Sequence, residues 1–200
     1  MKEFSYKINL AIIGTDTKCN EIFLDYLDQI SLNSQTIESE GERFFIQNDI
    51  PVKIKAFVAL TFHEMINNYD QIKKLSILIY VLNINDINSI NNLNYDNYTD
   101  FCNIFKFKGI SALVGVDLNH ILEENNKNED YINEFSLIQK TQELNFIYCF
   151  EVKDTPKDLI LLYNSIFKDI FLKFRILNPE LFEKAKNYGK ELLKLKLSSE

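Results

Sequence analysis

Two histidines, three cysteines and one acidic run are the side chains of this 200-residue chain best suited to chemistry. A bound metal needs three or four N, S or O ligands at helix-face or loop spacings. His63 and His120 do not fall into such a pattern with the cysteines or carboxylates, and Cys19, Cys102 and Cys149 stand singly. No metal or other cofactor is expected. Cys102 and Cys149 lie in apolar surroundings, where a thiol is normally an inert core residue. No Gly-x-Ser-x-Gly elbow occurs, so the serine-hydrolase signature is missing. The carboxylates between 123 and 130 are interspersed with Asn and Lys and read as a solvated surface rather than an acid–base pair.

The elements that would position any site are easier to read. Short apolar runs rich in β-branched residues at 8–13, 44–46, 77–82, 110–114 and 146–150 have the length of buried strands. A sixth, 52–60, opens with strict alternation and is joined to 44–46 by the turn at Asn48-Asp49-Ile50-Pro51, which predicts an antiparallel hairpin at one edge. Between the strands lie helical spacings: Phe23, Leu27 and Ile30 share one face of 20–30, and Ile84, Ile87, Ile90 and Leu93 recur every three residues in an Asn-rich stretch. After Asp154, an N-cap at Thr155, Pro156 at the first helical position and the box residue Asp158 precede Leu159, Leu162, Tyr163, Ile166, Phe167 and Ile170. That helix should lie flat on the sheet. A last helix opens at Asn178-Pro179 with a seam of Leu181, Ala185, Tyr188, Leu192 and Leu195, suited either to the domain or to a partner helix. The fold class is α/β: a six-stranded, mostly parallel sheet with one antiparallel edge hairpin, helices on both faces and an extra C-terminal helix. The division is an α/β domain over 1–177, then helix and tail over 178–200.

Composition narrows the function classes. Lys and Arg number 22 against 29 Asp and Glu, a formal charge of −7 that repels a phosphate backbone, so direct nucleic-acid binding is disfavoured. No apolar run approaches the roughly 20 residues a bilayer span needs. The Met1-Lys2-Glu3 start predicts no secretory leader, Lys2 rules against myristoylation, and the Leu197-Ser198-Ser199-Glu200 end predicts no prenyl anchor. Reduced thiols in an intracellular compartment are expected.

A strand, a tight turn at Gly14, a helix, a hairpin and three more strand–helix units resemble the Ras-like small GTPases over about residues 6–176. The stretch from Tyr69-Asp70 through Ser76-Ile77-Leu78-Ile79-Tyr80-Val81-Leu82 looks like the family's approach to its fourth strand. Val114-Gly115-Val116-Asp117-Leu118 stands where the guanine-reading motif belongs, and Phe150-Glu151-Val152-Lys153 where the last nucleotide loop belongs. The family's P-loop needs glycines whose N–H groups wrap phosphates, a lysine, and a Ser or Thr on magnesium. Here the loop reads Gly14-Thr15-Asp16-Thr17-Lys18-Cys19-Asn20-Glu21: Cys19 replaces the second glycine, Asn20 the lysine, and Glu21 the hydroxyl. A carboxylate 4 Å from a phosphate charge costs about 4 kcal/mol at an effective dielectric near 20. Glu21 on magnesium with Lys18 in the lysine's role is the rescue weighed against that cost.

Val58-Ala59-Leu60-Thr61-Phe62-His63-Glu64 supplies none of the family's magnesium aspartate, γ-phosphate glycine and water-positioning glutamine, and His63 reads as a surface residue. Of the guanine-reading groups only Asp117 remains, and it can simply cap the next helix. Five glycines, where a chain of this length usually has about 14, suit a backbone that does not approach phosphates. The resemblance is therefore to an inactive, nucleotide-free GTPase-like fold with Gly14, Cys19, Asn20, Glu21 and Asp117 as vestigial positions, and not to an enzyme.

Within the superfamily, Ile12-Ile13-Gly14-Thr15-Asp16, Leu78-Ile79-Tyr80-Val81-Leu82-Asn83-Ile84 running to Ser89-Ile90, and Ile147-Tyr148-Cys149 followed by Glu151-Val152 are similar to the GTPase-like subunits of the inner kinetochore. That similarity implies a scaffold in the nucleus, at the centromere, in a complex with the H, I and K centromere proteins and a helical-repeat or coiled-coil partner. The alternative is a cytoplasmic pseudo-GTPase or atypical GTPase of vesicle or ciliary trafficking. Partner contact is expected at the Leu181, Ala185, Tyr188, Leu192, Leu195 seam and at Phe62 and Met65, whose apolar area beside the hairpin would need a cover.

Overall fold

A computed structural model describes residues 5–32, 42–72, 74–122, 131–153 and 157–197. The strands are β1 (Tyr6–Ile13), β2 (Glu42–Gln47), β3 (Ile50–Ala59), β4 (Ile77–Asn83), β5 (Ile110–Val116) and β6 (Tyr148–Val152). The helices are α1 (Thr17–Ile30), α2 (Phe62–Asn67), α3 (Tyr69–Ile72), α4 (Ile87–Asn91), α5 (Tyr95–Phe105), α6 (Leu118–Leu122), α7 (Glu134–Glu143), α8 (Lys157–Leu177) and α9 (Pro179–Leu197). One sheet runs in the order β2-β3-β1-β4-β5-β6, parallel except for the β2–β3 pair. That pair closes through a two-residue turn, Asn48-Asp49, in which both residues have positive φ (50° and 65°). Asn and Asp tolerate this conformation best after Gly, and its twist matches the flanking strands.

Strand alternation sorts the apolar residues into two cores. Ile8, Leu10 and Ile12 of β1, Ile77, Ile79 and Val81 of β4, and Ala112, Val114 and Val116 of β5 face α1 and α8. Ala11, Ile13, Leu78, Tyr80, Leu82 and Leu113 face the side covered by α2, α5 and α7. With both faces covered, the central strands read as unbroken apolar runs rather than alternating ones. The largest single contribution comes from α8, which buries Leu159, Leu162, Tyr163, Ile166, Phe167, Ile170, Phe171 and Phe174. Each such side chain gains about 1.5–3 kcal/mol on leaving water, so this helix anchors its face of the sheet.

Several boundaries differ from the sequence reading. The α1 helix begins at Thr17, not 20, because the Asp16 side chain accepts hydrogen bonds from the N–H groups of Lys18 and Cys19. The Asn-rich stretch forms two helices, capped by Asp86 and Asn94, with Ile84 and Leu93 buried. β6 is shifted two residues onward: Asn145 takes a left-handed φ of 54° and the Phe146 N–H bonds back to Thr141 O, so Phe146 finishes the α7 turn. Thr155, Pro156, the acidic run 123–130 and both chain ends, 1–4 and 198–200, lie outside the described residues.

The contact expected at Phe62 and Met65 needs correction: both are buried, at 3% and 1% exposure. Phe62 stacks on Tyr80 and packs against Phe101, each at 5.1 Å between ring centroids, because α2 lies on the sheet beside α5 and covers the apolar area itself. The C-terminal seam is also divided. Ala185 is buried, Tyr188 and Leu192 are half-buried, and Leu181 and Leu195 are exposed. The inward face of α9 runs instead through Phe182, Ala185 and Gly189. Gly189 carries no apolar signal, yet the helix packs tightly there against the hairpin turn: a Cβ would stand 1.9 Å from Asp49 O.

That approach reverses the usual sign of a substitution. On an exposed helix, Gly→Ala stabilises by up to about 1 kcal/mol through propensity. Here the added methyl meets backbone, and overpacking of this kind costs about 1–3 kcal/mol. Gly189→Ala should therefore lower the urea midpoint without a large change in slope; a raised midpoint would mean that α9 does not sit against the hairpin turn.

Candidate functional site

In parallel α/β sheets, ligands bind in the crevice at the carboxyl ends of the strands. Here that end is formed by the turns after β1, β4, β5 and β6. The turn after β1 has three residues, Gly14, Thr15 and Asp16, before α1 begins. Five of the eight residues expected to form a phosphate loop are therefore helical, and Cys19, Asn20 and Glu21 belong to the first two turns of α1.

The N–H groups at a helix start attract anions, since they lack intrahelical partners and carry the positive end of the helix dipole. In this chain the anion is internal. Asp16 Oδ1 accepts from Lys18 N at 2.9 Å and Cys19 N at 3.3 Å, while Asp16 Oδ2 accepts from Asn83 Nδ2 at 2.8 Å. The bonded chain continues across the sheet end. Asn83 Oδ1 accepts from Asn85 N at 3.0 Å, and Asn85 Nδ2 donates to Asp117 Oδ1 at 3.0 Å. Asp117 Oδ1 also accepts from His120 N at 3.1 Å, capping α6, and Asp117 N donates to Val152 O. Asp16, Asn83, Asn85 and Asp117 thus tie the ends of β1, β4, β5 and β6 together.

Asn20, expected at the place of the phosphate lysine, is 1% exposed and points back into the turn, where its Nδ2 donates to Gly14 O at 2.7 Å. Gly14 is required by packing, since a Cβ there would lie 2.6 Å from Val81 O and 2.7 Å from Asn20 Oδ1. The glycine that suggested a phosphate loop serves the close approach of the turn to β4. Glu21 is exposed in the second turn of α1, so the carboxylate nearest a phosphate at this helix start is Asp16.

The other expected site residues are dispersed. His63 is exposed near the start of α2, where Thr61 accepts from Glu64 N and Glu64 accepts from Leu60 N. The positions matched to the last nucleotide loop are strand up to Val152, which is fully buried. Among the described residues no three His, Cys, Asp or Glu side chains are grouped to hold a metal ion. Among them, no helix is long and apolar enough to cross a membrane. The Cys19 thiol is fully buried, and burial first, then the Asp16 charge, pushes its pKa far above the ordinary thiol range. No family model matches the chain, and no curated protein matches it.

The sequence reading missed Asn83 and Asn85 as site residues. The available signal was their position: two carboxamides directly at the end of an apolar strand, where a parallel sheet presents its ligand crevice.

Three measurements check this geometry. Asp16→Ala removes a helix cap and the bond from Asn83, and should cost about 1–2 kcal/mol in denaturant unfolding. An Asp16/Asn83 double-mutant cycle should show coupling of at least about 0.5 kcal/mol, whereas strict additivity would mean the two do not interact. Iodoacetamide at pH 8 should modify half-buried Cys149 in the folded protein and Cys19 only after unfolding.

Proposed function

We propose that this chain is a nucleotide-free, GTPase-like scaffold, similar in role to centromere protein M of the inner kinetochore. The observation carrying this reading is the bonded chain Asp16, Asn83, Asn85, Asp117, which spans the crevice where a GTPase-like sheet holds its nucleotide. A phosphate brought to the α1 start would displace the Asp16 carboxylate from two N–H groups or share them with it. Two unit negative charges about 4 Å apart repel by about 4 kcal/mol at an effective dielectric near 20, on the order of a thousandfold in affinity. The strand order with an antiparallel edge pair and helices on both faces is compatible with the Ras-like architecture.

On this reading the protein supplies surfaces rather than chemistry. The stiff sheet presents exposed helices to protein subunits of a larger assembly, here the H, I and K centromere proteins, one of them a helical-repeat or coiled-coil chain. It needs no cofactor and no direct contact with nucleic acid, which its −7 charge disfavours.

Purification of a tagged copy from its own cells, with mass spectrometry of the co-purifying proteins, tests the assignment. Near-equal recovery of inner-kinetochore subunits is expected. Recovery of coat, tether or transport-particle subunits in their place would move the scaffold to trafficking.

A further inference from the structure

At the pole opposite the candidate site, the starts of β1, β4, β5 and β6 and the α8–α9 corner enclose a cavity of about 1080 Å³. Its charge is the reverse of the chain's. Among the described residues, Lys7, Lys74, Lys106, Lys108 and Lys173 line it against one carboxylate, Asp169, giving +4 locally in a chain of −7 overall. Asp169 already accepts a 2.6 Å hydrogen bond from the Tyr148 hydroxyl. All five lysines are exposed, and among the described residues none of them forms an ion pair.

Local structure explains only part of this cluster. A helix dipole favours cations at Lys106 and Lys173, near the carboxyl ends of α5 and α8. Lys74 follows the single-turn α3, whose dipole is small, and Lys7 and Lys108 stand at or just before strand starts, where no dipole rewards them. Lys74 and Lys106 also hold left-handed backbone, with φ of 70° and 48°, where Gly or Asn would be less strained by about 1 kcal/mol. Between the lysines the walls are apolar and open: Leu177 is 65% exposed, Ile147 55% and Leu181 42%.

We propose that this cavity is the docking groove for an acidic amphipathic segment of a partner protein, with its carboxylates on the lysines and its apolar side chains against Leu177, Leu181 and Ile147. Charge complementarity selects an acidic occupant. The exposed apolar walls select one with apolar anchors at helical spacing, which a nucleic-acid backbone lacks. The cluster contains no arginine for bidentate phosphate contacts. The inference goes beyond the scaffold reading and stands whether or not the opposite pole takes a nucleotide.

The test is fluorescence anisotropy with the full chain and a labelled peptide of about 20 residues carrying Leu at i, i+3, i+7 and Glu elsewhere. Saturable binding at about 100 µM or tighter in low salt is expected, weakening as salt rises. Lys74→Glu with Lys108→Glu and Lys173→Glu should weaken it about tenfold or more, and Leu177→Ser should weaken it as well, with melting temperature unchanged. Should the charge reversal unfold the chain, the Lys→Gln triple variant gives the same comparison. Absence of saturable binding would overturn the proposal, as would undiminished binding by the triple variant. Tighter binding of a single-stranded DNA of about 20 nucleotides would also overturn it and assign the lysines to nucleic acid.

Discussion

A carboxylate held at the start of α1 is the constraint on which the upper pole of this structure depends. Asp16 satisfies two helix N–H groups, sets α1 to begin three residues after Gly14, and presents its second oxygen to Asn83. From that bond the strand ends are joined side chain by side chain to Asp117 and the cap of α6. The short turn lets Gly14 press against Val81 and leaves Asn20 buried beneath it. A longer glycine-rich loop would separate these groups, so loop length, cap and network are one arrangement.

The two poles of the sheet then differ in kind. At the carboxyl end, polar side chains bind one another and the backbone, and the structure supplies its own anion. At the amino end, five lysines surround open apolar walls, and among the described residues only Asp169 lines them with an anion. In the proposed scaffold role, the closed pole holds the strands in place as a ligand would. The open pole is where unsatisfied charge and apolar surface coincide, the combination that marks interaction sites rather than ordinary surface.

The fold was largely legible because buried parallel strands write themselves as apolar runs: 77–82 and 110–114 name β4 and β5 within two residues. The α8 face was read through Ile170 from spacing alone, and the structure extends it to Phe174. Errors gathered where one residue's partner is remote in sequence. Phe62 and Met65 look exposable until α5, more than 30 residues on, packs over them. Gly189 carries no hydrophobic signal, so the inward face of α9, Phe182, Ala185 and Gly189, shares only Ala185 with the leucine seam. Asn83 and Asn85 gain their meaning only from Asp16 and Asp117, which lie 67 residues before and 32 residues after them. The lysine groove is invisible to composition because its five cations come from four separate segments of an acidic chain.

The most direct measurement is thermal unfolding of the purified chain with and without millimolar GDP or GTP and magnesium. A ligand that binds only the folded state raises stability in proportion to the logarithm of its saturation. Filling the crevice in the manner of a GTPase would raise the midpoint by about 5 °C or more in a protein of this size. With Asp16 and its bonded chain in that place, the midpoint should be the same in both nucleotides and in buffer. A saturable rise with either nucleotide would contradict the closed crevice and return this fold to the nucleotide-binding proteins.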